Sequence, residues 1–441
     1  MSEARGSLTV EGDPGPKAVT AFSGTLRGLA HAHLASVLGF APPTEVVEEL
    51  GPAIAHELSR APELETPARD QWGNWEFPFG ESNLRGELYR PWLDLPVIER
   101  RRALAAGRSD LRVEPAWPED RPFALCLTHD VDLVSLDPPP RDSLRQLARD
   151  ARLLAGGGDS GPAGLALRNV TRALFRLATL KGMGTPAHRS YDEWLALEGR
   201  HGFHSTFFVF PEHVPEPHVY DCLYGYDDVI PYDRRRLPVR EVLREIARAG
   251  WEVGLHGSYH SALRAGLLAD QRRQVEQALG GPVTSTRQHW LHWDARITPR
   301  LQAGAGLLAD STQGFNRNIG FRAGTAFPYP CWDHERGETL PVLEVPQHIM
   351  DGALFTTNAL ECDEALAIRH GLHLMDQVQA VGGCLTLSWH PNTIVDPTYW
   401  AVYEALLAEA AHRNAWGCSV GELRTWWTAR ARRILGESPH A

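Results

Sequence analysis

Two carboxylates one residue apart close a short apolar run. Phe123, Ala124, Leu125, Cys126 and Leu127 lead into Thr128-His129-Asp130-Val131-Asp132. Charged groups seldom stand where a buried strand ends unless they have a partner. A strand's period of two puts Asp130 and Asp132 on one side if the chain stays extended through both. A second group lies in WEVGLHGSYHSA, where His256 and His260 are four apart. Two imidazoles and one carboxylate make the ligand set of a catalytic zinc that keeps a position open. Such an ion acidifies water and polarises a carbonyl. The remaining carboxylate can act as general base, and the spacing alone leaves open which Asp does which.

The elements that must position these groups repeat along residues 117–435. PFALCLTHD, HSTFFVF, WEVGLH, VTSTRQHW, GLLADST, LPVLEVP and GGCLTLSWH are short β-type runs, each ending at a polar group. Helical or loop segments such as 239–249 and 270–279 separate most of them. Seven strands alternating with helices predict an α/β fold, a parallel barrel or a related wound sheet. Asp130, His256, Arg287, Asp310 and His390 all fall at or just past the C-terminal end of a strand. In a β/α barrel, side chains from separate strands converge on that edge. The segment at about 136–190 carries Leu and Arg at helical spacing and reads as a helical insert. Residues 19–116 read as a small α-rich accessory domain of illegible role, with Leu26, Leu29, Leu34, Val46, Val47, Leu50 and Ile54 at helical spacing. Residues 1–18 read as a disordered N-terminus.

These motifs resemble those of the polysaccharide deacetylase family, carbohydrate esterase family 4, with its NodB homology domain. Thr128-His129-Asp130-Val131-Asp132 resembles the family's T-F-D-D-G motif in a D-x-D form. His256-Gly257-Ser258-Tyr259-His260 resembles its H-[ST]-x-x-H, with Gly257 where Ser or Thr is usual. Arg287 in TSTRQHWL is similar to the Arg that opens the third motif, followed by Gln288-His289-Trp290 where Pro and an aromatic are usual. Leu385-Thr386-Leu387-Ser388-Trp389-His390 is a loose form of L-x-L-H with two extra residues before the His, and STFFVFPEH, from Ser205, resembles the family's TFF strand. The resemblance spans about residues 120–430. It implies a distorted (β/α)7 barrel of the NodB/glycoside hydrolase–deacetylase type. It also implies that Asp132, His256 and His260 hold a divalent metal, zinc first and cobalt or nickel after it. Asp130 would be the base that deprotonates water, and Arg287 would pair with Asp130 and favour its ionised form. His390 would be the general acid for the leaving amine. The implied reaction is hydrolysis of an N-acyl, most often N-acetyl, group on an amino sugar or glycan.

Three residues are candidate substrate contacts: His289, Asp310 and Arg322. Arg322 lies in DSTQGFNRNIGFRAGTAFPY between Gly320 and Gly324. Mobile backbone around an Arg suits recognition of a substrate carboxylate or phosphate; a loop salt bridge is the alternative. Trp290, Trp293, Trp332 and Trp389 either stack on sugar faces or pack the barrel top.

Composition narrows the classes. The chain has 441 residues, 43% hydrophobic and 22% charged, ordinary values for a globular protein. The net charge of −11 argues against nucleic-acid binding and against adhesion to an anionic membrane. The run Arg234-Arg235-Arg236 reads as solvated surface. Six cysteines without a C-x-x-C spacing predict free thiols in a reducing compartment. The N-terminus lacks the apolar core of a signal peptide, and no run reaches the roughly 18 apolar residues of a membrane span. The expectation is therefore a cytoplasmic enzyme acting on a small, lipid-linked or nucleotide-linked amino sugar. Two other readings stay open: hydrolysis of another C–N bond, such as a formyl group or cyclic amide, on the same scaffold, and an inactive barrel that binds a glycan or partner.

Overall fold

The run that ends in the paired carboxylates is buried at every position from Ala124 to Val131, as a parallel strand covered on both faces must be. The computed structural model describes residues 24–77, 87–106, 108, 110–134, 190–222, 224–391 and 397–436. The stretch 1–18 and, save Ser190, the expected helical insert lie outside them. Among the described residues the strands are β1 (Ala124–Val131), β2 (Ser205–Val209), β3 (Val229–Tyr232), β4 (Arg235–Pro238), β5 (Glu252–Gly257), β6 (Ser285–Gln288), β7 (Ala309–Asp310), β8 (Tyr329–Asp333), β9 (Glu338–Glu344), β10 (Ile349–Met350), β11 (Cys384–Ser388) and β12 (Trp416–Cys418).

The main sheet runs β10-β11-β1-β2-β5-β6-β7-β9-β8, with β12 also on β1. Only β8 is antiparallel to its neighbour. The seven strands read from sequence are β1, β2, β5, β6, β7, β9 and β11, consecutive neighbours in this order. β3 and β4 form a separate hairpin that carries the exposed Arg234–236 run. In a flat sheet β6 would lie three strand spacings, about 14 Å, from β1. Arg287 on β6 nevertheless hydrogen-bonds Thr128 and Asp130 on β1 and Ser388 on β11. The sheet is therefore curled into a distorted barrel, and the C-terminal strand ends form its mouth.

Helices return the chain between strands. Val239–Arg248 joins the β3–β4 hairpin to β5, Leu267–Leu279 joins β5 to β6, and Thr298–Gly304 joins β6 to β7. Val239–Arg248 buries Val239, Val242, Leu243 and Ile246, one helical stripe against the sheet. Reciprocal capping boxes start Tyr191–Gly199 (Ser190 with Glu193) and Val420–Leu435 (Ser419 with Glu422). No helix among the described residues is long and apolar enough to cross a membrane.

The N-terminal helices Gly24–Leu38, Thr44–Leu58 and Asp94–Ala105 share one hydrophobic core with the barrel. Buried polar groups join the two. Arg430 donates to the carbonyls of Ser36 at 2.6 Å and Glu114 at 3.0 Å, and Asp94 accepts from Thr325 Oγ1 and the Ala326 amide. A loop of this region reaches the barrel mouth. Asn74 Nδ2 donates to the Trp290 carbonyl at 3.0 Å, Tyr259 Oη to the Trp72 carbonyl at 2.7 Å, and Trp72 stacks on Trp290.

His348, buried beside β11, accepts the Thr386 amide on Nδ1 at 3.1 Å. That contact needs a neutral ring, and burial pushes its pKa down to about 4. The unfolded chain binds this proton at an ordinary pKa near 6.5. The stability His348 contributes is thus complete above pH 6.5 and lost as pH falls toward 4. We expect the wild-type protein to lose about 2 kcal/mol more than His348→Asn between pH 8 and pH 5 in urea unfolding.

Candidate active site

Arg287 is fully buried at the end of β6 and organises the mouth. Its Nη1 donates to Asp130 Oδ1 at 2.9 Å, Thr128 Oγ1 at 2.8 Å and Ser388 Oγ at 2.9 Å. Nη2 donates to Ser311 Oγ at 2.8 Å and Nε to the Ser311 carbonyl at 2.6 Å. Burial opposes ionisation of Asp130, but the Arg287 guanidinium and then His256 and His390 hold its pKa below the ordinary carboxylate value. Asp130 is therefore a carboxylate held by Arg287 on Oδ1, with Ser388 Oγ donating more distantly to Oδ2 at 3.5 Å.

Asp132, just past β1, faces two imidazoles. Its Oδ1 lies 3.4 Å from His256 Nε2 and 3.6 Å from His289 Nε2. Asp132, His256 and His289 offer ligand atoms that all lie within 4.8 Å of one another. The remaining ring nitrogens are turned outward. His256 Nδ1 faces the Arg287 carbonyl at 2.9 Å, and His289 Nδ1 faces Asp221 Oδ1 at 3.6 Å. Carbonyl and carboxylate partners of this kind fix the tautomer of metal-binding histidines. His256 Nε2 is buried without a hydrogen-bond partner, which is costly unless something accepts its lone pair. The three side chains fit a divalent cation.

His390 follows β11 and Trp389. Its Nδ1 contacts Asp351 Oδ1 at 2.6 Å, and its backbone amide donates to Asp351 Oδ2 at 2.8 Å. Nε2 is left facing Asp130 Oδ2 and Asp132 Oδ2, each at 3.8 Å. Burial alone would lower the His390 pKa, but Asp351, then Asp132 and Asp130, outweigh it and push it up to about 10. A proton donor thus sits opposite a carboxylate base.

Of the residues expected at the site, Asp130, Asp132, His256, Arg287 and His390 come together, and four others, His260, His289, Arg322 and Asp310, stand elsewhere than expected. His260 is not among the grouped ligands. Four-apart histidines share a face only on a helix, whereas His256 is on β5 and the tight turn Tyr259–Ala262 begins after Ser258. His260 instead lies against His218 and Tyr259. His289, expected on the substrate, stands in the ligand group. It is two residues past Arg287 and so on the same inward side. Gly257 allows this approach of strands, because a Cβ there would meet Gln288 Oε1 at 2.5 Å.

Arg322 is 6% exposed and spent internally. Nε and Nη2 donate to Glu63 Oε1 at 3.2 and 3.0 Å, and Nη1 to the Gly314 carbonyl. The loop salt bridge, not an anion site, accounts for it. Asp310 is fully buried, accepts from Thr312, and has its pKa raised by burial; it touches no open surface. Trp293, Trp332 and Trp389 are buried, which leaves Trp290 as the partly exposed indole of the four. Asp221, Cys222 and Asp351 escaped the sequence reading. The first two sit on a loop with no periodic signal, and Asp351 follows a strand of only two residues.

No family profile matches the sequence, and no curated protein matches it. Solved structures do. A protein of Mycobacterium smegmatis assigned as a polysaccharide deacetylase is 19% identical, with a TM-score of 0.45 over 74% of this chain and 95% of that one. The allantoinase Puue is 14% identical, with a TM-score of 0.43 over 73% of this chain and 96% of its own. A protein of Pseudomonas aeruginosa PAO1 assigned as a polysaccharide deacetylase is 14% identical, with a TM-score of 0.42 over 73% and 96%.

Removing the Arg287 charge leaves Asp130 buried and unpaired. Arg287→Met should cost about 3–5 kcal/mol in urea unfolding. Adding Asp130→Asn should recover a substantial part of that loss.

Proposed function

We propose that the chain is a metal-dependent hydrolase of the polysaccharide deacetylase type that removes an N-acyl, most often N-acetyl, group from an amino-sugar substrate. The observation that supports it is the convergence of a cation-binding group (Asp132, His256, His289), an ionised carboxylate (Asp130) and a carboxylate-backed imidazole (His390) on one barrel mouth. A divalent ion at the three donors, zinc by its ligand set, supplies Lewis acidity toward an acyl carbonyl and makes water more acidic.

The protein's own residues do the proton work. Asp130 takes the proton from the attacking water, and Arg287 keeps Asp130 ionised and fixed in direction. His390 gives its Nε2 proton to the amine nitrogen as the C–N bond breaks, while Asp351 holds the ring by Nδ1. Acetate and a free amine leave. The loop carrying Trp72 and Asn74 docks against Trp290 and flanks the mouth, which favours a small, lipid-linked or nucleotide-linked amino sugar over a finished polymer. An inactive binding barrel would not need both proton carriers with their charged supports.

Elemental analysis and turnover of N-acetyl amino sugars test this together. About one zinc per chain is expected, lost in Asp132→Ala and His289→Ala but retained in His260→Ala and Asp130→Asn. Asp130→Asn should lower kcat about a hundredfold to ten-thousandfold with its metal in place. Absence of bound metal after reconstitution would sink the reading.

A further inference from the structure

The loop that supplies Asp221 to His289 places the next side chain against the metal group. Cys222 Sγ lies 3.6 Å from Asp132 Oδ1 and 3.7 Å from His289 Nε2. A tetrahedral zinc with bonds of about 2.0 Å to oxygen or nitrogen and about 2.3 Å to sulfur separates its ligand atoms by about 3.3 and 3.5 Å respectively. The sulfur is thus spaced from two of the donors as a ligand would be; it stands outside the 4.8 Å group of Asp132, His256 and His289, so sharing their ion requires its side chain to turn toward His256. A second observation points to the same centre. His256 Nε2 is buried, has no hydrogen-bond partner and lies 3.4 Å from the same Asp132 oxygen.

We propose that Cys222 is a fourth ligand of the metal held by Asp132, His256 and His289, a thiolate that closes the site to water in the resting protein. The proposal rests on the hydrolase reading and adds a regulatory state to it. Three protein ligands leave a position for water, and four close it. As the sulfur–metal bond forms, the S–H proton passes to solvent. A soft thiolate also biases the site toward zinc over magnesium or manganese. Hydrolysis then requires Cys222 to turn away. It lines a cavity of about 670 Å³ with Phe210, Tyr224 and Gln271, which offers the side chain space and reagents access.

The other five cysteines, Cys126, Cys331, Cys362, Cys384 and Cys418, are buried, whereas Cys222 is partly exposed. A thiol reagent therefore reads Cys222 in the native, full-length protein. With Ellman's reagent, the metal-free wild type should show one fast-reacting thiol, slowed at least about tenfold by one equivalent of zinc. Cys222→Ser and Cys222→Ala should both lack that thiol and bind zinc at least about tenfold more weakly. Cobalt(II)-loaded wild type should show a sulfur-to-cobalt charge-transfer band that both variants lose. If zinc binds the wild type but Cys222 stays equally reactive, the cobalt band is absent, or both variants keep full zinc affinity, Cys222 is not a ligand and the hydrolase reading stands. If the wild type binds neither zinc nor cobalt, the hydrolase reading fails and this proposal falls with it.

Discussion

One guanidinium holds the barrel mouth together. Arg287 reaches from β6 to β1, to β11 and to Ser311 just past β7, and every nitrogen has an acceptor. A buried ion pair is weak support for a fold unless the remaining protons and lone pairs are satisfied. Here Thr128, Ser311 and Ser388 satisfy them. The planar fork of Arg can address several strand ends at once, which the single point charge of Lys cannot. The curl of the sheet and the ionised state of Asp130 therefore depend on the same side chain.

Around that anchor the charges do not balance within the protein. Asp130, Asp132 and Asp351 lie around His256 and His390, and both imidazoles are drawn toward their charged forms. Burial would lower the His256 pKa, yet Asp130 and Asp132 raise it. A pocket that strains to protonate its histidines is short of positive charge, and a divalent cation supplies it without a proton. Behind the mouth, His129 is held at both ring nitrogens, by the Trp389 carbonyl at 2.9 Å and Glu198 Oε1 at 2.7 Å. Tyr403 and Trp251 also donate to Glu198. This arrangement fixes the residue between Thr128 and Asp130 to the residue before His390. It couples the strand that carries Asp130 to the one that leads into His390.

The barrel was legible because most of its strands are buried runs ending in polar groups, a pattern that survives without any knowledge of tertiary contacts. The same logic singled out Asp130, His256, Arg287, Asp310 and His390, of which all but Asp310 come together at the mouth. His260 was expected as a ligand only from the family's motif spacing, and the tight turn after β5 leaves it outside the group of Asp132, His256 and His289. His289 could have been read from the strand's own period of two past Arg287. Asp221, Cys222 and Asp351 had no such handle, since their positions depend on where loops fold back. Arg322 looked available for a ligand because its partner, Glu63, lies 259 residues away in sequence, in the N-terminal helices. Those helices share the barrel's core, which a reading by composition could not anticipate.

Drawing ligands from neighbouring strands has a mechanical consequence. His256 is held by the ladder, paired to Arg287, while His289 opens the tight turn His289–Leu291 immediately after Gln288, which pairs with Gly257. The cation-binding group is then fixed to the same two strands that carry the Arg287 anchor. Asp132 is the hinge between the two halves of the chemistry. Its Oδ1 faces His256 and His289, while its Oδ2 faces His390 Nε2. A carboxylate that serves both sides cannot reorient for one without disturbing the other. A cation held at Asp132 Oδ1 would therefore be felt at His390 through the other oxygen of the same carboxylate.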